Sequence, residues 1–433
     1  MQSPDLRMNE GELFAKCARR IIPWMILLYL VNVLDRVNVG FAALTMNKDL
    51  GFSPVVFGLG GGIFFLGYTL FQIPANLILE RVGARRWVTL ILGLWGVLSS
   101  ANAFVQDAVS FYALRFVLGI AESGFYPAML LYLTYWFPQA YRGRFTASFM
   151  ASVPLSFIIG SPISGFILNL DGIAGLHGWQ WLFLLEGMPA ALLAFAVIRI
   201  LPDGPRDAPW LSDAEKDTIL SKLAAEDSGA RHRDLWPALA DPRVPALGLV
   251  TFGIIMGYYG IGLWLPQIVQ SMGFSNLATS FIVALLFVGG MGGMIAWGRS
   301  SDLKGERIWH IALPALVASG AFIIASMATN ANNNLLSLVA LSLAAAALFC
   351  MPCPFWSLAS SFLRGTASAG GLALINLVGG IGGFVGPNLI GVLKQATGGY
   401  AAGMAALAVG PLVGAFIVLT LGRALALKQA QLR

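Results

Sequence analysis

Asp35 and Arg36 stand side by side inside an apolar run from about Ile21 to Met46. On insertion scales a charge at a bilayer centre costs roughly 2.5–3.5 kcal/mol, so such a pair faces a protein interior or a watery cavity. A second pair, Arg115 and Glu122, lies in another apolar segment. Seven residues make about two helical turns, which puts both on one face with Gly119 between them. Asn32, Asp35 and Asn38 recur every third residue as a polar stripe, and Arg36 lies about 100° around the helix from Asp35, on the side of Asn32. Guanidinium groups stay charged and bind carboxylates bidentately, whereas a carboxyl withdrawn from water can take up a proton. Protonating Asp35 or Glu122 would free a neighbouring arginine for a substrate carboxylate. Proton and anion would then favour each other's binding, which is symport in electrostatic form. The alternative is a structural charge network that clamps the first and fourth spans together.

Tyr68, Gln72, Tyr258, Tyr259, Trp356 and Asn376 sit in other apolar segments and supply polar walls for an anion pocket. Glu186, near the start of the sixth span, reads as an interfacial structural residue. Gly60–Gly62, Gly289–Gly290, Gly292–Gly293, Gly379–Gly380 and Gly382–Gly383 suit close helix approach. None has the strand or lysine of a phosphate loop. There is no metal cluster, catalytic triad or nucleotide motif, so neither an enzyme nor a cofactor other than a coupling proton is expected. Cys350 and Cys353 lie in an apolar segment without the βαβ context of a redox motif.

The elements that must position these residues are membrane helices. The 433 residues are 57% hydrophobic and 11% charged, against about 25% charged in soluble domains. Apolar segments fall at about 21–46, 55–78, 87–106, 109–135, 145–170 and 181–201, then at 244–270, 277–298, 308–329, 334–361, 366–393 and 400–422. Twelve transmembrane helices in two six-helix bundles are expected, as residues 1–201 and 244–433 joined by a linker over 202–243. Of 27 Lys and Arg, Lys48 and Lys394 fall at the ends opposite the termini, and Arg36 and Arg115 within spans. The rest flank the spans on the side of the termini, which places both termini in the cytoplasm. The basic excess of +6 therefore marks a membrane side and not a nucleic-acid site.

The halves are copies. Gly51-Phe52-Ser53 returns as Gly273-Phe274-Ser275, and Glu80-Arg81-Val82-Gly83 as Asp302-Leu303-Lys304-Gly305, both 222 residues later. Parallel repeats about an axis along the membrane normal fit this offset. The same shift carries Asp35, Arg36, Arg115 and Glu122 onto Gly257, Tyr258, Ser337 and Ala344, so these four charges belong to the first half alone. In the linker, residues 213–226 have helical spacing with Ser212 as a cap, a surface helix that tethers the halves.

The loop from Asn76 through Glu80, Arg81, Gly83, Arg85 and Arg86 resembles the cytoplasmic signature of the major facilitator superfamily, with Asn for the usual Gly and Glu for the usual Asp. Gly298 to Arg307, with Asp302 and Gly305, resembles its second-half echo. Asp35-Arg36, Arg115, Glu122-Ser123-Gly124 and Pro127, with Gly365–Ala369, Ile375-Asn376 and Gly383–Pro387, resemble the anion:cation symporter family, in its bacterial branch for small organic acids such as tartrate, phthalate, galactonate and hydroxyphenylacetate. That resemblance implies a major facilitator fold, proton coupling by Asp35 and Glu122, and substrate binding by Arg36 with Tyr68, Trp356 and Asn376. It implies that Arg115 organises Glu122 and assists the anion, and that Glu80, Arg81, Gly83, Arg85, Asp302 and Gly305 act in gating. Tyr258 joins the substrate contacts as a pocket wall. Galactonate carriers have a fifth-span glutamine where this chain has Val153, which favours a less hydroxylated or aromatic acid. The expectation is a proton-coupled carboxylate symporter, a monomer in a bacterial inner membrane whose partners are a small organic anion and lipid. Drug efflux by proton antiport and an uncoupled anion uniporter are the alternatives.

Overall fold

The computed structural model describes residues 10–150, 152–226, 241–362 and 367–431. Its first half contains α1 (Glu10–Asp49), α2 (Pro54–Val82), α3 (Ala84–Ala101), α4 (Ala108–Glu122), α5 (Phe125–Trp136), α6 (Gln139–Met150), α7 (Ser152–Leu168) and α8 (Gly178–Ile200). The linker helix is α9 (Asp213–Glu226). The second half follows with α10 (Arg243–Gln270), α11 (Asn276–Lys304), α12 (Ile308–Asn330), α13 (Asn334–Cys350), α14 (Pro352–Phe362), α15 (Ala367–Thr397), α16 (Ala401–Leu407) and α17 (Val409–Gln431). Among the described residues there is no strand. Among the described residues, eleven helical stretches are long and apolar enough to cross a membrane, and the shorter apolar Ser152–Leu168 stands where a twelfth is expected.

The first helix begins well before its apolar run. Hydropathy registers only the stretch that needs lipid, whereas Glu10 and Glu12 favour a helix N-terminus through its dipole, and buried Leu13, Phe14 and Cys17 pack this extension into the core. The repeat offset holds in three dimensions. α2 and α11 begin and end at positions 222 apart. Ser53 and Ser275 each cap the following helix, accepting a bond at 3.2 Å from the backbone N–H of Val56 and Ala278, and Gly83 and Gly305 close these helices at φ of +87° and +62°.

The halves meet along α2 and α15, α7 and α11, and α1 and α10. A Cβ on Gly58 would lie 2.8 Å from the Pro387 carbonyl oxygen, and one on Gly391 2.5 Å from that of Pro54. Asn47 Nδ2 donates to Gln267 Oε1 at 3.2 Å, and the Val55 amide to Gln395 Oε1 at 3.4 Å. These contacts all lie at the end opposite the described chain ends. Within the first half, α2 and α4 cross where a Cβ on Gly119 would strike the Phe64 carbonyl oxygen. Backbone cannot yield as a flexible side chain does, so Gly119→Leu is expected to cost at least about 1–3 kcal/mol, the usual penalty of overpacking. A lowered melting temperature of the purified protein checks this; an unchanged one would mean that the crossing is looser than drawn.

The linker helix is fastened to the first half. The Ser212 amide donates to Glu215 Oε2 at 2.8 Å and the Glu215 amide to Ser212 Oγ at 3.3 Å, a capping box. Lys16 pairs with Glu215 at 2.8 Å, Lys222 with Glu10 at 2.8 Å and Arg142 with Glu226 at 3.3 Å. Trp210 stacks on Trp136 at 5.5 Å. Partial desolvation pushes the Glu215 carboxyl up, but the bonds from Lys16 and Ser212 together outweigh it and hold it below its ordinary value. The stabilisation is therefore present above the unfolded value of about 4.3 and is lost as pH falls through the lower folded one. Ser212→Ala should cost about 1 kcal/mol of local helix stability, visible as faster amide hydrogen exchange across 213–226.

Candidate functional site

α1 carries two functional faces. On one, Arg36 reaches α4: its Nη2 and Nε donate to Glu122 Oε2 at 2.7 and 3.1 Å. Asn32 Nδ2 donates to the same oxygen at 2.8 Å, and Asn32 Oδ1 accepts from Arg36 Nη2 at 3.1 Å. Three donors thus converge on one carboxylate oxygen of a fully buried side chain, while Glu122 Oε1 has no hydrogen-bond partner among the described residues. Glu122 ends α4 at a break: the Ser123 amide and hydroxyl both bond the Ile120 carbonyl, and α5 restarts at Phe125. Interrupted helices near mid-membrane are a recurrent way to build transport sites. Arg36 Nη1 donates across to the Tyr259 hydroxyl of α10 at 3.3 Å, and its guanidinium carbon lies 5.0 Å from the Tyr68 ring centroid. Buried ion pairs are weak evidence for stability in themselves. This one is linked by a single side chain to both halves.

On the other face, Asp35 turns to α3. Its Oδ2 accepts from Trp95 Nε1 at 2.5 Å, and its Oδ1 accepts from the Ser99 hydroxyl and from Asn38 Nδ2 at 3.2 Å. Asp35 makes no ion pair among the described residues. Trp95 and Ser99 were not legible as partners, although their four-residue spacing puts them on one face of α3.

Arg36 opens onto a cavity of about 210 Å³ between the halves. Tyr68 and Gln72 line it from α2, and Tyr259, Trp356 and Asn376 from the second half. A buried cation on a wall of rings and amides fits a small anion with an apolar body.

The match to the family described as Major Facilitator Superfamily runs over residues 25–387. The chain belongs to the major facilitator superfamily. It is 46% identical over 416 residues, covering 96% of this chain and 95% of the other, to an Agrobacterium vitis protein named "Putative tartrate transporter". It is 42% identical over 390 residues, 89% of each chain, to the "Quinolone resistance transporter" of Acinetobacter baumannii. A crystal structure of a bacterial homologue of the human lysosomal transporter Spinster superposes with a TM-score of 0.74 at 16% identity, covering 93% of this chain and 96% of that one. This superfamily member is a multi-pass membrane transporter and not an enzyme.

The structure joins Arg36 to Glu122 and sets Tyr68, Trp356 and Asn376 around the cavity that Arg36 enters, and it places Tyr258 and Arg115 away from that cavity. Tyr258 does not line the cavity. Its ring packs edge-on against Phe349 and Tyr259 at 5.3 and 4.8 Å, and its neighbour Tyr259, a helical step of about 100° away, takes the place assigned to it. Arg115 is fully buried off the cavity wall, 4.8 Å from the Phe64 centroid, and none of its guanidinium nitrogens has a hydrogen-bond partner among the described residues. Glu186 is buried in the protein, 6% exposed, with Oε1 accepting from Ser164 at 2.7 Å. Val153 packs half-buried against the core, and Met150 reaches the cavity instead.

The signature loops lie at the other end from the contacts near Gly58. Glu80 and Arg81 are exposed at the end of α2, and Arg85 pairs with Asp203 at 2.8 Å, tying the α2–α3 turn to the linker entrance. Asp302 pairs with Arg307 at 2.7 Å across the turn made by Gly305.

Proposed function

We propose that this transporter carries a small organic carboxylate with protons by alternating access, with twelve spans, both termini in the cytoplasm and, given its bacterial relatives, a place in a bacterial inner membrane. The observation that carries the reading is the Arg36 guanidinium, held by Glu122 on the wall of a cavity between the halves. A carboxylate entering the cavity competes with Glu122 for Arg36. A proton on Glu122 removes that competitor, so the anion binds best when the proton is aboard. The tartrate named for the Agrobacterium relative is one such anion, and the cavity's aromatic lining suits an aromatic acid as well. Closure beside Gly58 and Gly391, together with a Trp356 that is 36% exposed, supports an inward-facing state. The signature loops, with Glu80, Arg81, Gly83, Arg85, Asp302 and Gly305, are then the parts that close the cytoplasmic side.

The test is uptake into proteoliposomes under an imposed inward proton gradient, over tartrate, galactonate, phthalate, hydroxyphenylacetate and nicotinate. Accumulation of one acid that collapses with a protonophore is expected. Equilibration without dependence on the gradient would overturn proton coupling and leave a uniporter. The likeness to a quinolone resistance transporter favours a second reading, proton-driven efflux. Gradient-driven expulsion of a quinolone, with no acid accumulated, would establish it.

A further inference from the structure

One buried carboxyl, Glu186, lies outside the Arg36–Glu122 coupling scheme above. Glu186 lies on α8, eight residues from the end that starts at Gly178, which the proposed topology puts at the outer side. The helices packed against α8 are α3, α1 and α7. From α7 comes Ser164, whose hydroxyl donates to Glu186 Oε1. From α3 come Ser99 and Ser100, whose hydroxyls flank the adjacent Gly187. From α1 comes Asn38, whose Nδ2 donates to Asp35 Oδ1 at 3.2 Å and whose side chain lies near Glu186; Ser99, beside Gly187, bonds the same Asp35 oxygen. Asp35 is thus the charged group that faces Glu186, and among the described residues no cation pairs with it. Among the described residues, Glu186 Oε2 and Asn38 Oδ1 have no partner at hydrogen-bond distance, although Glu186 is 6% and Asn38 1% exposed. A buried carboxyl with no cation and an unpartnered oxygen is costly as an anion and is relieved by a proton. A hydrogen on Oε2 also makes it a donor in a cluster that is short of one.

We propose that Glu186 is a proton-carrying residue placed between the outer face and Asp35, with Asn38 and Ser164 positioning it. A proton from the outer water binds the Glu186 carboxylate. It then passes to the Asp35 carboxylate, leaving Glu186 ionised and ready to reload, so that one proton moves and no bond other than O–H is made or broken. This rests on the proton-symport reading but adds Glu186, on a different helix, to Asp35 and Glu122, the two acids to which the family resemblance gives proton coupling.

The experiment compares wild type, Glu186→Gln and Glu186→Asp in proteoliposomes containing a pH-sensitive dye, with tartrate as the probe anion. Glu186→Gln is expected to keep tartrate counterflow, which needs no net proton movement, while tartrate-coupled acidification and gradient-driven accumulation fall to the level without a gradient. Glu186→Asp should restore part of both, with a displaced pH profile. Counterflow intact with accumulation and pH profile as in wild type would overturn the proposal and leave Glu186 structural. Infrared difference spectra across a pH titration of the purified protein give a second arm that needs no substrate. A protonated-carboxyl band that Glu186→Gln removes supports the assignment, and no change in that band overturns it. A wild type that moves tartrate without protons would sink the symport reading itself, a result separable from the infrared outcome.

Discussion

Arg36→Ala is expected to reduce uptake of the transported acid to background, and Arg36→Lys to raise its half-saturation concentration about 10- to 100-fold. A net charge-assisted hydrogen bond is worth about 1.5–3 kcal/mol, and each 1.4 kcal/mol is about tenfold in affinity. Lysine keeps the charge but loses the fork with which Arg36 holds Glu122 through Nε and Nη2 while reaching Tyr259 through Nη1. The alanine variant also strands Glu122 with Asn32 alone, and breaking a buried pair by removing one partner costs about 3–5 kcal/mol. Lost folding must therefore be separated from lost binding. The double variant Arg36→Met/Glu122→Gln removes both charges at similar volume and should fold close to wild type while transporting nothing. Retained uptake in the double variant would dismiss Arg36 as the anion's partner.

Glu122→Gln should separate binding from coupling. With Glu122 neutral, Arg36 has no competing carboxylate beside it, as Asp35 is turned toward Trp95 and Ser99. Anion binding and counterflow are then expected to persist and to lose their dependence on pH, because the group that must be protonated before the anion can compete is gone. Accumulation against a gradient should vanish, leaving equilibration only. Binding isotherms at several pH values, with counterflow and gradient-driven uptake on the same preparation, provide the check. A variant that still accumulates substrate with the wild-type pH profile would move the coupling proton off Glu122.

Much of this transporter is legible in one dimension. The order of apolar segments, the internal repeat and the confinement of Asp35, Arg36, Arg115 and Glu122 to the first half follow from the chain alone. The physical reason is local: roughly twenty apolar residues span a bilayer, and a charge there is too costly to be accidental. Spacing also placed Arg36 on the side of Asn32, which the structure retains in the bond from Arg36 Nη2 to Asn32 Oδ1. Which acid each cation meets is a different matter. Helical spacing puts Arg115 and Glu122 on one face and makes Asp35 the sequence neighbour of Arg36, yet Glu122 bonds Arg36, Asp35 bonds α3, and Arg115 lies against Phe64. Those partnerships depend on how far each helix is rotated and how closely it approaches the next. Contacts such as Gly119 on Phe64, distant in sequence, set both. The same dependence selected Tyr259 over Tyr258 and buried Glu186 against Ser164. The sequence by itself determined which groups lie in the membrane, because partition is a property of each segment. Only the tertiary structure decided which of them touch, because contact is a property of pairs of helices.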